Sequence, residues 1–168
     1  IKKPGAKNTA LFGAGAHVSC GLVPIKEGYL LTSVHTRSFF PSIHQQVAAN
    51  LAYQSSLHLL ERVLPFDQKE EEIFKIFEAW TQWMSDMATK EGFIDSLVVL
   101  DVLVIFLLPP LGLGLPERLS SDIEHGASFD ELADLLTQNG ESWHPLLYLH
   151  LREHMGERIF DWINVKNM

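Results

Sequence analysis

Residues 150–154, HLREH, set two histidines four apart with a glutamate beside the second. The pattern is H-x-x-E-H, by which one class of metallopeptidases holds zinc. On a helix the two histidines share a face. Catalytic zinc also needs a third protein ligand, a base and an open coordination position. The peptidases with this motif take their third ligand from far downstream, whereas the chain ends at Met168. His150 moreover alternates with Leu149 and Leu151. The expectation is a half-packed histidine pair and no metal; a zinc hydrolase is the remote alternative.

Other residues invite the same weighing. GAGAHV at 13–18 starts like a dinucleotide loop, but Val18 stands where the third glycine belongs and no helix pattern follows. Asp101 interrupts an apolar run, where a carboxylate needs a partner or a route to the surface. The expectation is a hydrogen-bonded position, since no second catalytic group is identifiable in the sequence. Trp80 and Trp83 with Phe74 and Phe77 could stack bases. Their helical spacing among Ile and Met favours core packing instead.

The elements that must position these residues follow from composition and periodicity. The 168 residues are 46% hydrophobic, enough for a packed core. A lone cysteine, Cys20, excludes an internal disulfide and a cysteine-based zinc knuckle, and it fits a reducing cytosol. No apolar stretch near Lys2 and Lys3 reads as a signal peptide. The run FIDSLVVLDVLVIFLL, 93–108, is shorter than a membrane span, carries Asp95 and Asp101, and stops at Pro109 and Pro110. It reads as a buried helix, so no membrane contact is expected.

Charge is divided unevenly. Residues 1–44 carry five bases against one acid, a net of +4. Residues 45–168 carry eight bases against 20 acids, a net of −12. Such asymmetry points to two modules with different partners. The basic module suits nucleic acid, and the acidic one repels it.

AHVSCGLVPI and GYLLTSVHTRSFF alternate roughly and are rich in β-branched and aromatic residues, so residues 1–44 read as β, with a tight turn at Lys26-Glu27-Gly28. From residue 45 the pattern is helical. One helix is expected over 45–64, with Val47, Leu51, Leu57, Leu60 and Leu64 close to one face. A second begins near Asp67 and carries the stripe Ile73, Phe77, Trp80, Met84 and Met87 to Gly92. The buried helix follows over about 94–108. SFDE at 128–131 is a capping box opening a short helix that ends at Asn139-Gly140. A last helix has Pro145 in its first turn and Gly156 as its C-cap.

The same segments resemble RecO, a bacterial recombination-mediator family, over most of the chain. Leu57, Leu59, Leu60, Glu61, Arg62, Leu64 and Pro65 are similar to the family's "leLLerllp" helix ending. Glu72, Ile73, Phe74 and Phe77 resemble its "elFelL" helix, and Leu107, Leu108 and LGLG at 111–114 its "LL..lGyg" turn. KKPGAKNTALFGA resembles the hinge into a barrel strand, and LYLHLREHMGERI the closing helix. The chain lacks the cysteine cluster that some relatives carry after the "lGyg" turn.

The resemblance implies an α+β, mainly α protein: an incomplete OB-type β-barrel module at 1–44, supplying two or three of five strands, and a helical domain at 45–168. It implies further barrel strands before Ile1. It implies a cytoplasmic DNA-repair and recombination mediator, not an enzyme and without a cofactor. Such a protein binds single-stranded DNA, RecR and single-strand-binding protein, loads recombinase and promotes annealing. OB barrels track phosphates with basic grooves and stack bases on aromatic rings. On that basis Lys2, Lys3, Lys7, Lys26 and Arg37 are candidate phosphate contacts, and Tyr29, Phe39 and Phe40 candidate stackers. A protein-interaction module without direct DNA binding is the alternative, which the acidic helical part fits.

Overall fold

The computed structural model describes residues 16–64, 70–90, 95–121, 123 and 126–155, apart from the side chains of 140 and 141. Strands β1 (Ala16–Ile25) and β2 (Gly28–Phe39) form one antiparallel two-stranded sheet. Six helices follow among the described residues: α1 (Pro41–Gln45), α2 (Val47–Val63), α3 (Glu71–Thr89), α4 (Ser96–Leu107), α5 (Glu117–Ser120) and α6 (Phe129–Met155). The described part is therefore mainly α with a small sheet, as expected, and it contains no closed barrel.

The hairpin turns at Lys26-Glu27, and Gly28 follows at φ +106, a conformation that favours glycine. The register pairs Ile25 with Gly28 at the tip and Ala16 with Phe39 at the root. Two irregularities, at His17/Val18 and Gly21/Leu22, add local twist. The root is anchored on the helices. His17 Nδ1 lies 2.9 Å from Glu78 on α3, and its ring meets Phe74 at 5.1 Å. Phe40 enters the core. The Ser42 hydroxyl lies 2.7 Å from that of Ser85, and Gln46 Nε2 donates to the Ala88 carbonyl at 2.8 Å. The β-to-α junction is thus held against the second half of α3.

α4 is apolar all round, which marks a helix surrounded by protein. It packs against α2, α3 and α6, with Val102, Leu103 and Leu107 fully enclosed. Its twelve residues are too few to span a bilayer, and no described helix is long and apolar enough to cross a membrane. Asp95 caps its start by accepting from the Leu97 amide at 2.8 Å. Its end tightens into a turn where Gly112 adopts φ +74 and the Leu113 amide reaches back to the Leu108 carbonyl. α3 presents Ile73, Trp80 and Met84 to the core as its stripe predicts, and the Trp80 indole N–H donates to the Val99 carbonyl at 2.9 Å.

Two helix readings are corrected. The helix expected over 45–64 forms as α2, Val47–Val63, but Gln45 closes the short α1 and Gln46 between the two is extended at φ −110, ψ 122, so it is the face that is corrected. The buried face of α2 is Ala49, Ala52, Tyr53, Ser56, Leu59, Leu60 and Val63. Val47, Leu51 and Leu57 from the expected stripe are exposed. Small residues sit at the closest approach, so a pattern read on large aliphatics alone picks the neighbouring face.

The second correction concerns the C-terminal helices. Asn139-Gly140 does not end a helix, and Pro145 does not begin one. α6 runs unbroken through both. An interior proline costs about 3 kcal/mol and a glycine about 1. Leu132, Leu136, Trp143, Leu147 and Leu151 are all buried along α6, on both sides of the break signals. Burying a large apolar side chain contributes about 1.5–3 kcal/mol. The continuous stripe therefore outweighs the two breakers. The capping box at its start does form: the Ser128 amide donates to Glu131 at 2.7 Å, and the Glu131 amide donates to the Ser128 hydroxyl at 3.3 Å.

Candidate functional site

The packing of α4 against α6 brings Asp101 to a partner that lies 43 residues away in sequence. Asp101 is 2% exposed in the middle of α4, and His144 is 8% exposed on α6. His144 Nδ1 lies 2.8 and 2.9 Å from the two carboxylate oxygens. An ionised carboxylate only accepts, so Nδ1 keeps its hydrogen and donates a hydrogen bond to Asp101. In the neutral ring Nε2 then carries a lone pair. It is buried and has no hydrogen-bond partner among the described residues. Leaving such an acceptor unmet costs about 1–3 kcal/mol.

Both residues line a cleft of about 760 Å³ between α3, α4 and α6. Trp83, Met87, Val98 and Leu136 supply apolar wall, and Asp95, Asp134, Thr137 and Ser142 supply polar atoms. The arrangement matches the second half of a nucleophile–base–acid relay. Among the described residues lining the cleft the hydroxyls are Thr137, which donates to the Ala133 carbonyl at 2.7 Å, and Ser142. The nearest hydroxyl in sequence, Ser142, donates to the Asn139 carbonyl at 2.8 Å. Neither hydroxyl is hydrogen-bonded to His144 among the described residues. Sequence reasoning found Asp101 and its need for a partner. It missed His144, for which the only signal was a histidine inside an otherwise apolar helical segment.

HLREH resolves as a structural feature. It lies on α6, as read. His150 Nε2 donates to the Gly114 carbonyl at 2.7 Å, pinning the turn after α4 onto α6. His154 Nδ1 donates to the His150 carbonyl at 2.9 Å. Each histidine thus spends one ring nitrogen on backbone. Among the described residues no group of three or more His, Cys, Asp or Glu is placed to hold a metal ion.

The candidate nucleic-acid residues are distributed along the hairpin. Lys26 is exposed in the tip turn, and Tyr29 beside it is 43% exposed. Arg37 is exposed near the root, opposite the His17/Val18 irregularity. Phe39, 55% exposed, stacks on His44 at 6.3 Å. Ten residues of strand at about 3.3 Å each separate the two groups by roughly 30 Å. The hairpin therefore makes two clusters, Lys26 with Tyr29 and Arg37 with Phe39, rather than one groove. Phe40 is corrected: it is 7% exposed and belongs to the core, so it cannot stack on a base. Phe40 lies one residue beyond β2 as the N-cap of α1, and the start of that helix carries its ring into the core. Lys2, Lys3 and Lys7 lie outside the described residues. The core role read for Trp80 holds, since it is fully buried, whereas Phe74 is about half exposed beside His17.

The outer half of the hairpin has an unusual surface. Leu22 pairs with Leu31, and Val23 with Leu30. Adjacent pairs project to opposite faces. Leu22, Val23, Ile25 and Leu30 are each about half exposed, so both faces of the ribbon carry apolar side chains in contact with solvent. Comparison with known proteins finds no matching family model, no matching curated protein and no matching solved structure.

Proposed function

We propose that this chain is a DNA-repair and recombination mediator of the RecO type. It binds single-stranded DNA through an OB-type β module and binds partner proteins, RecR and single-strand-binding protein, through its helical domain. It brings recombinase onto coated strands and promotes annealing, and it makes and breaks no covalent bonds.

The observation that carries the reading is the hairpin Ala16–Phe39. An isolated two-stranded ribbon is marginal in water, and a solvated antiparallel sheet keeps one face polar. This ribbon is apolar on both faces toward its tip. It reads as two strands of a larger OB-type barrel, whose inner face takes one apolar row. Its exposed bases and rings are of the kind such barrels present to single strands. The order of hairpin and then helices agrees with the RecO resemblance.

Fluorescence titration of a labelled oligonucleotide at several salt concentrations tests the reading. Each phosphate contact on a single strand contributes about 0.7 to the slope of log affinity against log salt. Lys26→Ala with Arg37→Ala should lower that slope by about 1.4. Phe39→Ala should weaken binding by about 1–3 kcal/mol if a base stacks on it. A double variant with the parent's slope removes the hairpin as the DNA site. A parent that ignores DNA at low salt favours the interaction-module reading, for which the acidic helical part is the supporting observation.

A further inference from the structure

We propose that the cavity between the root of β1, α2 and α3 binds one uncharged aromatic ring system that carries an N–H, a ligand of the indole class. The proposal does not rest on the hairpin binding DNA.

The cavity holds about 270 Å³. Pockets that enclose a whole drug-sized ligand run to about 300–1,000 Å³, so this one suits a single ring system on a short stem. Three observations fix the chemistry of that ring. The walls are aromatic. Phe40 and Tyr53 are buried, Phe77 stacks on Tyr53 at 5.8 Å, and Phe74 and Leu57, 49% and 38% exposed, stand where the cavity meets solvent. Aromatic pairs contribute beyond the area they bury, so such walls favour another ring over an aliphatic chain.

The second observation is the polar lining, which accepts. Glu78 lines the cavity, and its Oε1 lies 2.9 Å from His17 Nδ1. The His17 ring rests on Phe74 at 5.1 Å. A carboxylate accepts at both oxygens, so the His17 contact leaves capacity for a ligand. The Thr81 hydroxyl gives its hydrogen to the Phe77 carbonyl at 2.7 Å. A ring seated here displaces water from Glu78, and desolvating a carboxylate without a hydrogen bond is costly, so the ring must bring a donor. The third observation is charge. No Lys or Arg stands among the described lining residues, and residues 45–168 carry a net −12, so an anionic ligand is repelled.

This chemistry has two sources: the tryptophan side chain of a partner protein, or a free indole compound. Calorimetric titration of the full chain separates them, with indole, 1-methylindole, N-acetyltryptophanamide and adenosine as probes. Indole should bind saturably. 1-Methylindole has the same ring and no N–H, and it should bind about tenfold more weakly. Glu78 is exposed, so Glu78→Ala keeps the fold, which a circular-dichroism melt checks; it should bring indole down to the 1-methylindole level and leave 1-methylindole unchanged. Phe74→Ala, also at an exposed position, should weaken both rings about fivefold.

N-acetyltryptophanamide binding as tightly as indole or more tightly assigns a partner's tryptophan as occupant, and weaker binding assigns the free ring. No saturable binding of indole overturns the proposal. So does equal affinity for indole and 1-methylindole, which would leave only an apolar gap. An affinity unchanged in Phe74→Ala would place the ring elsewhere, and adenosine binding more tightly than indole would make the cavity a nucleobase pocket; either result also overturns it.

Discussion

Replacing Asp101 with alanine should destabilise the packing of α4 against α6. The carboxylate is 2% exposed and receives His144 Nδ1 at 2.8 and 2.9 Å. A hydrogen bond to a charged group contributes about 1.5–3 kcal/mol net. Its removal also leaves the Nδ1–H buried without an acceptor, at a further cost of about 1–3 kcal/mol. The expected loss is about 3–5 kcal/mol, the range for breaking a buried pair from one side. That is a large share of the 5–15 kcal/mol that holds an ordinary domain together. For a chain of this length it should lower the melting temperature by about 6–20 °C. The assay is urea unfolding followed by circular dichroism, run as a double-mutant cycle. Asp101→Leu with His144→Phe removes both polar partners and should recover part of the single-variant loss, with a coupling of about 1–3 kcal/mol. A single-variant cost below about 1 kcal/mol, or costs that simply add, would show that the contact does not hold α4 to α6.

Other outcomes follow from the packing. Leu60→Asp places a carboxylate on the buried face of α2 and should cost several kcal/mol; an unchanged melting temperature would refute that placement. Pro145→Ala restores an amide inside α6 at an exposed position and should stabilise the chain by about 1–2 kcal/mol, less than the full proline cost because the unfolded chain gains freedom. A lower stability would mean that the ring itself shapes the helix. Ser128→Ala removes the α6 cap and should cost about 1 kcal/mol by chemical denaturation. Hydrogen bonds from the Ser128 amide and hydroxyl hold the Glu131 carboxyl below the usual carboxylate range. A lowered folded-state value stabilises above the unfolded value and is lost as pH falls through the lowered one. The Ser128→Ala penalty should therefore shrink below about pH 4, and a penalty that grows toward acid would contradict the cap. Elemental analysis of untagged protein should find less than one zinc per chain, since His150 Nε2 is committed to Gly114.

Local chemistry alone determined much of this protein. Gly28 after Lys26-Glu27 makes the hairpin turn, Ser128 and Glu131 make the α6 cap, and Asp95 makes the α4 cap. Each acts over three residues or fewer, so its consequence is legible where it stands. The stripe of α3 and the all-round apolarity of α4 likewise announced one core-facing helix and one enclosed helix. Tertiary packing decided what these could not. Pro145 and Gly140 are break signals by propensity, yet α6 passes through them because its buried side chains continue on both sides. The buried face of α2 shifted to Ala49, Ala52 and Ser56 because close helix contact selects small residues that hydropathy ranks low. Phe39 and Phe40 are adjacent and chemically alike, and only the start of α1 sends one to solvent and the other to the core. The dyad belongs wholly to this second class. Asp101 needed a partner by electrostatics, but which of eight histidines would meet it depended on α4 and α6 packing side by side, a contact across 43 residues that no local pattern encodes.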